Sequence, residues 1–384
     1  MEKVLKKGAK LNSDNGIRKV ILEFFRNAAE KQSFDAIMLP MKIPSGDSYA
    51  WIMMKDMNLL DEANPIAPIM PVNAANALKR YTRKGKGQFK VAALMRPCEI
   101  RATIELTKLK QVNLDDVTLF SYDCVGALPM QDYIADPKLG ETKFDKLLQE
   151  QNRNSLDTKP ICQICDKFSL SASDIHFGFN DGELLLIPNS KKGDDLLSDL
   201  KIKCDTELSV WEKNIEEITR LKEKSRIDEF KNINSMVEGF TNLQEAFSNC
   251  IGCHNCGSAC PICYCRQCYF DSSVSKPNSD FVMIRAENRG SLSFPLDKIM
   301  FHVGRMSHMS LSCVSCGLCS DACPVDIPVA RIFSFVATQT QKTFEYSAGE
   351  NAGDALPIQD YKLEELGELG TLVKSAEAQE KHNE

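Results

Sequence analysis

Two cysteine runs of identical spacing constrain this chain more than any other feature. Cys250, Cys253, Cys256 and Cys260 are followed by Pro261, and Cys313, Cys316, Cys319 and Cys323 by Pro324. Both read C-x2-C-x2-C-x3-C-P, the two-cluster pattern in which the fourth cysteine of each run ligates the other cluster. Three thiolates two residues apart can wrap one face of an iron–sulfur cubane while backbone amides donate to its sulfides. The spacing therefore assigns Cys250, Cys253, Cys256 and Cys323 to one [4Fe–4S] cluster. Cys313, Cys316, Cys319 and Cys260 take a second. Zinc sites typically use paired C-x2-C motifs rather than four-cysteine runs closed by proline. The long insertion between the runs, 261–312, departs from a minimal ferredoxin.

The remaining cysteines follow the same logic. Of sixteen in 384 residues, none falls in 1–97 and eleven fall in 250–323. Scattered core thiols would not cluster this way, so metal binding is the first expectation. Hydrophobic residues are 43% and charged residues 26%, with a net charge of −6. That balance is ordinary for a soluble chain and lacks the basic excess of a nucleic-acid binder. No apolar stretch approaches a membrane span, and the basic start lacks a secretory core, so a cytoplasmic location is expected. Five histidines leave little room for histidine-based hydrolysis. His302, Arg305 and His308 share a helical face just before the second run, where they could donate to cluster sulfurs and tune a potential.

The first half reads as alternating strands and helices. A helix is expected over 17–31 and strands over 34–41 and 48–54. A second helix is expected over 71–81 with Pro71 at its start, then a strand over 90–95, a helix over 99–111 and a strand over 117–123. Asn180-Asp181-Gly182 marks a hairpin turn. Cys98 and Cys124 follow predicted strand ends, the edge where open α/β sheets usually bind ligands. A charged helical stretch, with Val210, Trp211, Ile215 and Ile218 on one face, leads to the cysteine-rich part. The expected division is an α/β domain over 1–205, a helical connector over 206–247, a ferredoxin domain over 248–345 and an acidic tail over 346–384 whose last fifteen or so residues look disordered.

Four stretches of the first half resemble the β subunits of coenzyme F420-reducing hydrogenases and F420-linked formate dehydrogenases. Arg96-Pro97-Cys98-Glu99-Ile100 is similar to that family's P-C-Q-I after a buried strand. Phe120 to Cys124 is similar to its strand ending in F-C. Cys162, Cys165 and Phe168 sit as in its C-x2-C-x-D-F, and Ser173-Asp174-Ile175 with Gly178 as in its A-D-I-x-x-G. Order and spacing match across roughly residues 15–185. The ferredoxin runs and the stretch around Leu356-Pro357 are similar to the longer members associated with formate dehydrogenase or heterodisulfide reductase.

The resemblance implies an α/β flavin-binding domain of that β-subunit kind plus a small α+β dicluster ferredoxin domain. It implies FAD and a third [4Fe–4S] cluster on Cys98, Cys124, Cys162 and Cys165. Flavin contacts are expected from Asn15, Gly16, Asn73, Arg96, Glu99 and Arg101. The function implied is that of an oxidoreductase electron-transfer subunit. FAD exchanges a hydride with a soluble carrier of F420 or NAD(P)H type, and clusters pass single electrons onward. The partner is the catalytic subunit of a formate dehydrogenase or hydrogenase, or a heterodisulfide-reductase-like flavoprotein. Where the family has a Gly-rich, Thr-containing stretch near its start, this chain has Ser13 to Arg18. A non-catalytic, cluster-bearing connector and a zinc-stabilised scaffold are the competing readings. Cys263, Cys265 and Cys268, joined by Cys204, remain open between a fourth cluster, a zinc site and packed thiols covered by Tyr264, Tyr269 and Phe270.

Overall fold

The computed structural model describes residues 7–12, 16–169, 172–180, 182–265 and 267–359. Eight strands make one mixed sheet: β1 (Lys7–Leu11), β2 (Ala36–Lys42), β3 (Tyr49–Met54), β4 (Val91–Met95), β5 (Val117–Tyr122), β6 (Ile175–Asn180), β7 (Glu183–Pro188) and β8 (Thr206–Glu207). Their spatial order is β3-β2-β4-β5-β6-β7-β1-β8. The centre, β2-β4-β5-β6, is parallel, with Ile37 opposite Ala92, Ala93 opposite Leu119 and Ser121 opposite His176. The flanking pairs are antiparallel. A parallel centre must be covered on both faces, and its strands accordingly read as continuous apolar runs.

Alternate residues of those runs serve opposite faces. Ile37, Leu39, Leu94, Phe120 and Phe177 meet helix α1 (Ile17–Glu30) through its Val20, Ile21, Phe24, Phe25 and Ala28. Phe25 and Phe120 meet edge-on, with ring centroids 5.0 Å apart, a favoured aromatic geometry. Ala36, Met38, Ala93, Met95 and Leu119 face the other way, onto helices α2 (Ala74–Tyr81) and α3 (Pro97–Lys108).

Two helix starts differ from expectation. Pro71 lies outside α2, because the Asn73 side chain caps that helix by accepting from Ala75 N at 3.0 Å. Helix α3 begins at Pro97 rather than residue 99. Pro is tolerated in a first turn, and the Glu99 carboxylate accepts from Arg96 N at 3.0 Å to close it. Cys98 therefore sits in the first turn of a helix. The expected hairpin turn joins β6 to β7, with Gly182 at φ +84° and Asp181 outside the described residues.

The connector is a strap across the α/β domain. Its helix Ser209–Val237 is followed by Gly239–Ala246. Trp211 packs on Leu185, Ile187 and Leu208, and its indole donates to Asp123 at 2.7 Å. Val210 is exposed, so the expected four-residue face is broken at its start. Farther along, the buried Lys222 donates to the carbonyls of Cys162 and Gln163 at 3.2 and 2.9 Å.

The expected tail also begins inside the fold. Ala348 and Leu356 are buried. Tyr346 and Gly349 N donate to the buried Glu105 at 2.5 and 2.8 Å. The rest of the tail, and its expected disorder, lies outside the described residues. Among the described residues, no helix is long and apolar enough to cross a membrane.

Glu105 thus anchors the 346–356 segment on α3. Glu105→Ala should destabilise the chain by about 3 kcal/mol, since it leaves buried donors unpaired. Tyr346→Phe should cost only about 1 kcal/mol. Denaturant midpoints and protease susceptibility around residue 350 report both, and equal losses from the two variants would contradict this anchoring.

Candidate iron–sulfur sites

The carboxyl ends of β4 and β5 open onto a cavity of about 40 Å³. Cys98 reaches it from the first turn of α3 and Cys124 from the residues after β5. Cys162 and Cys165 come from the short turn Pro160–Gln163 and its exit. All four line this cavity, so the third expected cysteine set is gathered in one place. Gly126 makes the gathering possible. Its φ is +105°, and an added Cβ would lie 2.8 Å from Thr158 Cγ2 and 3.3 Å from Cys162 Cβ. Its N–H donates to Cys124 Sγ at 3.3 Å.

The same cavity is ringed by cations: Arg96, Arg153, Lys159, Lys167 and Lys222. Arg96 Nε and Arg153 Nε are buried without a hydrogen-bond partner. Buried guanidinium nitrogens left unpaired are costly unless an anion faces them. Burial pushes the Cys124 thiol up to about 12, and the Cys98 thiol well above its ordinary value. Such thiols ionise at neutral pH only with a metal bound. Four cysteines inside a cationic shell fit a cubane carrying negative charge.

In the ferredoxin part, Cys260 lies with the second-run cysteines. Cys313, Cys316, Cys319 and Cys260 line a second cavity of about 20 Å³ with Arg305, Met309 and Phe333. Burial, and then the nearby Cys253 and Cys323, raise the thiols of Cys250 and Cys256. Arg305 Nη1 donates to Cys256 Sγ at 3.0 Å, and His302 Nε2 stands 3.4 Å from Cys250 Sγ. His302 stacks on Phe247 at 4.0 Å. Burial, then Arg305 and His254, push its pKa down to about 4, so its ring is neutral at pH 7. Donors of this kind to ligand sulfurs are levers on cluster potential.

The sites share walls. Cys316 lines both the α/β cavity and the second-run cavity. Arg305 touches Cys256 of the first-run set while lining the second-run cavity. Gly317, at φ +85°, lets Ile161 approach so closely that an added Cβ would lie 2.6 Å from its Cγ2. Lys159 pairs with Asp321 across the same seam. Among the described residues, no three His, Cys, Asp or Glu side chains converge on a single ion. The cysteine sets are spread around cavities wider than one metal ion.

The residues expected to touch flavin do not form one seat. Asn15 lies outside the described residues, and Gly16 is exposed at the start of α1. Asn73 is used as a helix cap. Glu99 accepts from Ala74 N at 2.9 Å and from Arg96 N. Arg101 donates to Ala348 O at 2.9 Å and Val314 O at 3.3 Å, holding the C-terminal segment rather than a pyrophosphate. Arg96 alone lines the cysteine cavity, where it also donates to Ile69 O at 3.2 Å. Cys204 packs against the α/β core beside Asp194 and Asp205 and does not join Cys263, Cys265 and Cys268. Those three line a separate cavity together with His308. Tyr269 is exposed, so it does not cover them as expected.

Sequence reasoning missed the cationic shell. Lys159 had a local signal, being next to the Pro160–Cys165 stretch. Arg153 and Lys222 had none, because a loop and a distant helix bring them in.

The crossed pattern predicts distinct losses. Cys323→Ala should remove the cluster signal associated with Cys250, Cys253 and Cys256. Cys260→Ala should remove the one associated with the second run. Arg305 should keep the clusters but shift the first-run potential when replaced by Gln. Iron assay, electron paramagnetic resonance and redox titration check these outcomes, and an unchanged spectrum in Cys260→Ala would contradict crossed ligation.

Residues 245–327 match the family described as a 4Fe-4S dicluster domain. The chain is similar to the β subunit of F420-dependent formate dehydrogenase from Methanocaldococcus jannaschii, with 25% identity over 379 residues covering 88% of this chain and 94% of that protein. It is similar to the β subunit of F420-dependent formate dehydrogenase 1 from Methanococcus maripaludis, with 27% identity over 367 residues covering 86% and 90%. A solved chain of the F420-reducing [NiFe] hydrogenase complex from Methanosarcina barkeri aligns with TM-score 0.42 and 13% identity, covering 60% of this chain and 95% of that chain. A score that low carries no weight for the fold. Over most of its length the chain is therefore similar to oxidoreductase β subunits of the F420-dependent formate dehydrogenase kind, with a dicluster match over both cysteine runs.

Proposed function

We propose that this chain is the electron-relay subunit of an F420- or NAD(P)H-linked oxidoreductase, passing single electrons between its α/β site and a catalytic partner subunit. The observation that carries this reading is the row of three cysteine sets joined by shared walls, through Cys316 and then Arg305. Bound [4Fe–4S] clusters supply one-electron storage at each set. The chain's own residues do the rest. Cysteines from three separate stretches hold the α/β site in place. Arg96, Arg153, Lys159 and Lys222 offset negative charge there. Phe168, Ile161 and Met70 keep its wall apolar.

FAD, which the family resemblance implies, supplies the conversion of a hydride into single electrons. The residues nominated for it form no common seat, and this favours a second reading as a connector without its own hydride chemistry. A partner of the formate dehydrogenase, hydrogenase or heterodisulfide-reductase kind is required in either reading.

Exposed apolar side chains over 279–294 support such a partner. Helix Ser279–Arg289 has no buried residue, and Phe281, Met283 and Ile284 are exposed. Phe294 and Ile251 are 69% and 57% exposed, and Pro295 packs on Gly252 between two cluster cysteines. Exposed apolar surface of this kind beside a redox centre marks a protein-binding face.

Anaerobically purified full-length chain should contain at least three cubanes and one flavin, with the flavin bleached by reduced F420 or NADH. Clusters without flavin, unreduced by either carrier, would establish the connector. Unchanged iron in Cys98→Ala or Cys162→Ala would overturn the α/β site. Phe281→Asp with Met283→Asp should weaken assembly with the partner at least tenfold while leaving iron content intact, as measured by co-purification.

A further inference from the structure

The sixteen cysteines are not exhausted by three sets. Cys263, Cys265 and Cys268 line a cavity of about 360 Å³, larger than either cysteine cavity described above. His308 lines it too, from the helix Lys298–Met309. The cavity abuts the second-run site, because Ile262, Arg305 and Met309 line both. Cys263 Sγ stands on that common wall, 2.9 Å from Met309 Sδ.

Thiols that merely fill a core would be packed on all sides, as protein interiors are. Cys263 packs beside Cys260 and Met309, whereas Cys265 is exposed at the cavity. His254 and His302 are each committed to a stacking partner and a hydrogen-bonding or sulfur contact. His308 has no such contact among the described residues, and its ring stands at the cavity rim. No three of these side chains converge on one ion. The cysteines assigned to cubanes are likewise not gathered around one ion.

We propose that Cys263, Cys265, Cys268 and His308 hold a fourth [4Fe–4S] cluster with a histidine as its non-thiolate ligand. This deepens the relay reading and rests on it for the chain being an iron–sulfur protein. Three thiolates and a neutral imidazole leave the cluster less negative than one with four thiolates, and net charge is a determinant of cluster potential. The cluster lies beside the second-run site, so it is a branch from the relay. Arg305, already against Cys256, stands between it and both ferredoxin clusters.

The test uses the full-length chain purified anaerobically, with iron, labile sulfide and zinc measured per chain. Wild type should carry iron and sulfide for four cubanes. Cys265→Ala with Cys268→Ala should lose one quarter of the iron and leave the second-run signal intact, while Cys204→Ala should lose none. His308→Cys should retain the iron, abolish nitrogen hyperfine coupling from a ligated imidazole and lower the potential of one cluster. Iron for only three cubanes in wild type would overturn the fourth cluster while leaving the relay reading standing. Zinc bound at the three cysteines would overturn it as well. Absence of nitrogen coupling in wild type, with an unaltered potential in His308→Cys, would overturn the histidine ligand.

Discussion

The proposed relay depends on setting cysteine sites among buried cations. A buried charge is costly unless opposite charge and hydrogen bonds surround it. At the α/β site that offset comes from Arg96, Arg153, Lys159 and Lys222, and in the ferredoxin part from Arg305. These cations come from different elements, so the site forms only when those elements are packed together. In the proposed relay, cluster binding is linked to folding, because the cavity is absent from the unfolded chain.

This requirement explains why the connector lies where it does. A free linker between domains would be exposed and mobile. The helix Ser209–Val237 instead runs from Trp211, bonded to Asp123 just before Cys124, to Lys222 on the carbonyls of Cys162 and Gln163. Its later part packs against the ferredoxin module, with Phe230 edge-on to Phe335 at 5.6 Å. The segment after residue 346 closes the other side, through Arg101 and Glu105 of α3. Both connections hold the wall that Cys316 contributes to two cavities.

Local patterns in the chain were readable where the chemistry is local. The spacing of Cys250 to Cys260 and of Cys313 to Cys323 encodes ligand geometry within one turn of backbone. The alternation in β2, β4 and β5 encodes two buried faces. The first turn of α3 was misplaced because Pro97 reads as a break, yet Glu99 satisfies the backbone ahead of it. The nominated flavin residues were chosen for lying at strand ends and helix starts. Asn73, Glu99 and Arg101 meet structural needs at those same places, and sequence position does not separate the two uses.

The sequence by itself determined the dicluster cysteine runs and the α/β class, because ligand spacing and strand periodicity are short-range properties. Tertiary structure decided the rest. It joined Cys98, Cys124, Cys162 and Cys165 in one cavity, separated Cys204 from Cys263, Cys265 and Cys268, and brought His308 to the latter. It also set Cys316 between two sites. Those juxtapositions depend on how far apart in space distant segments pack, and no local pattern carries that distance.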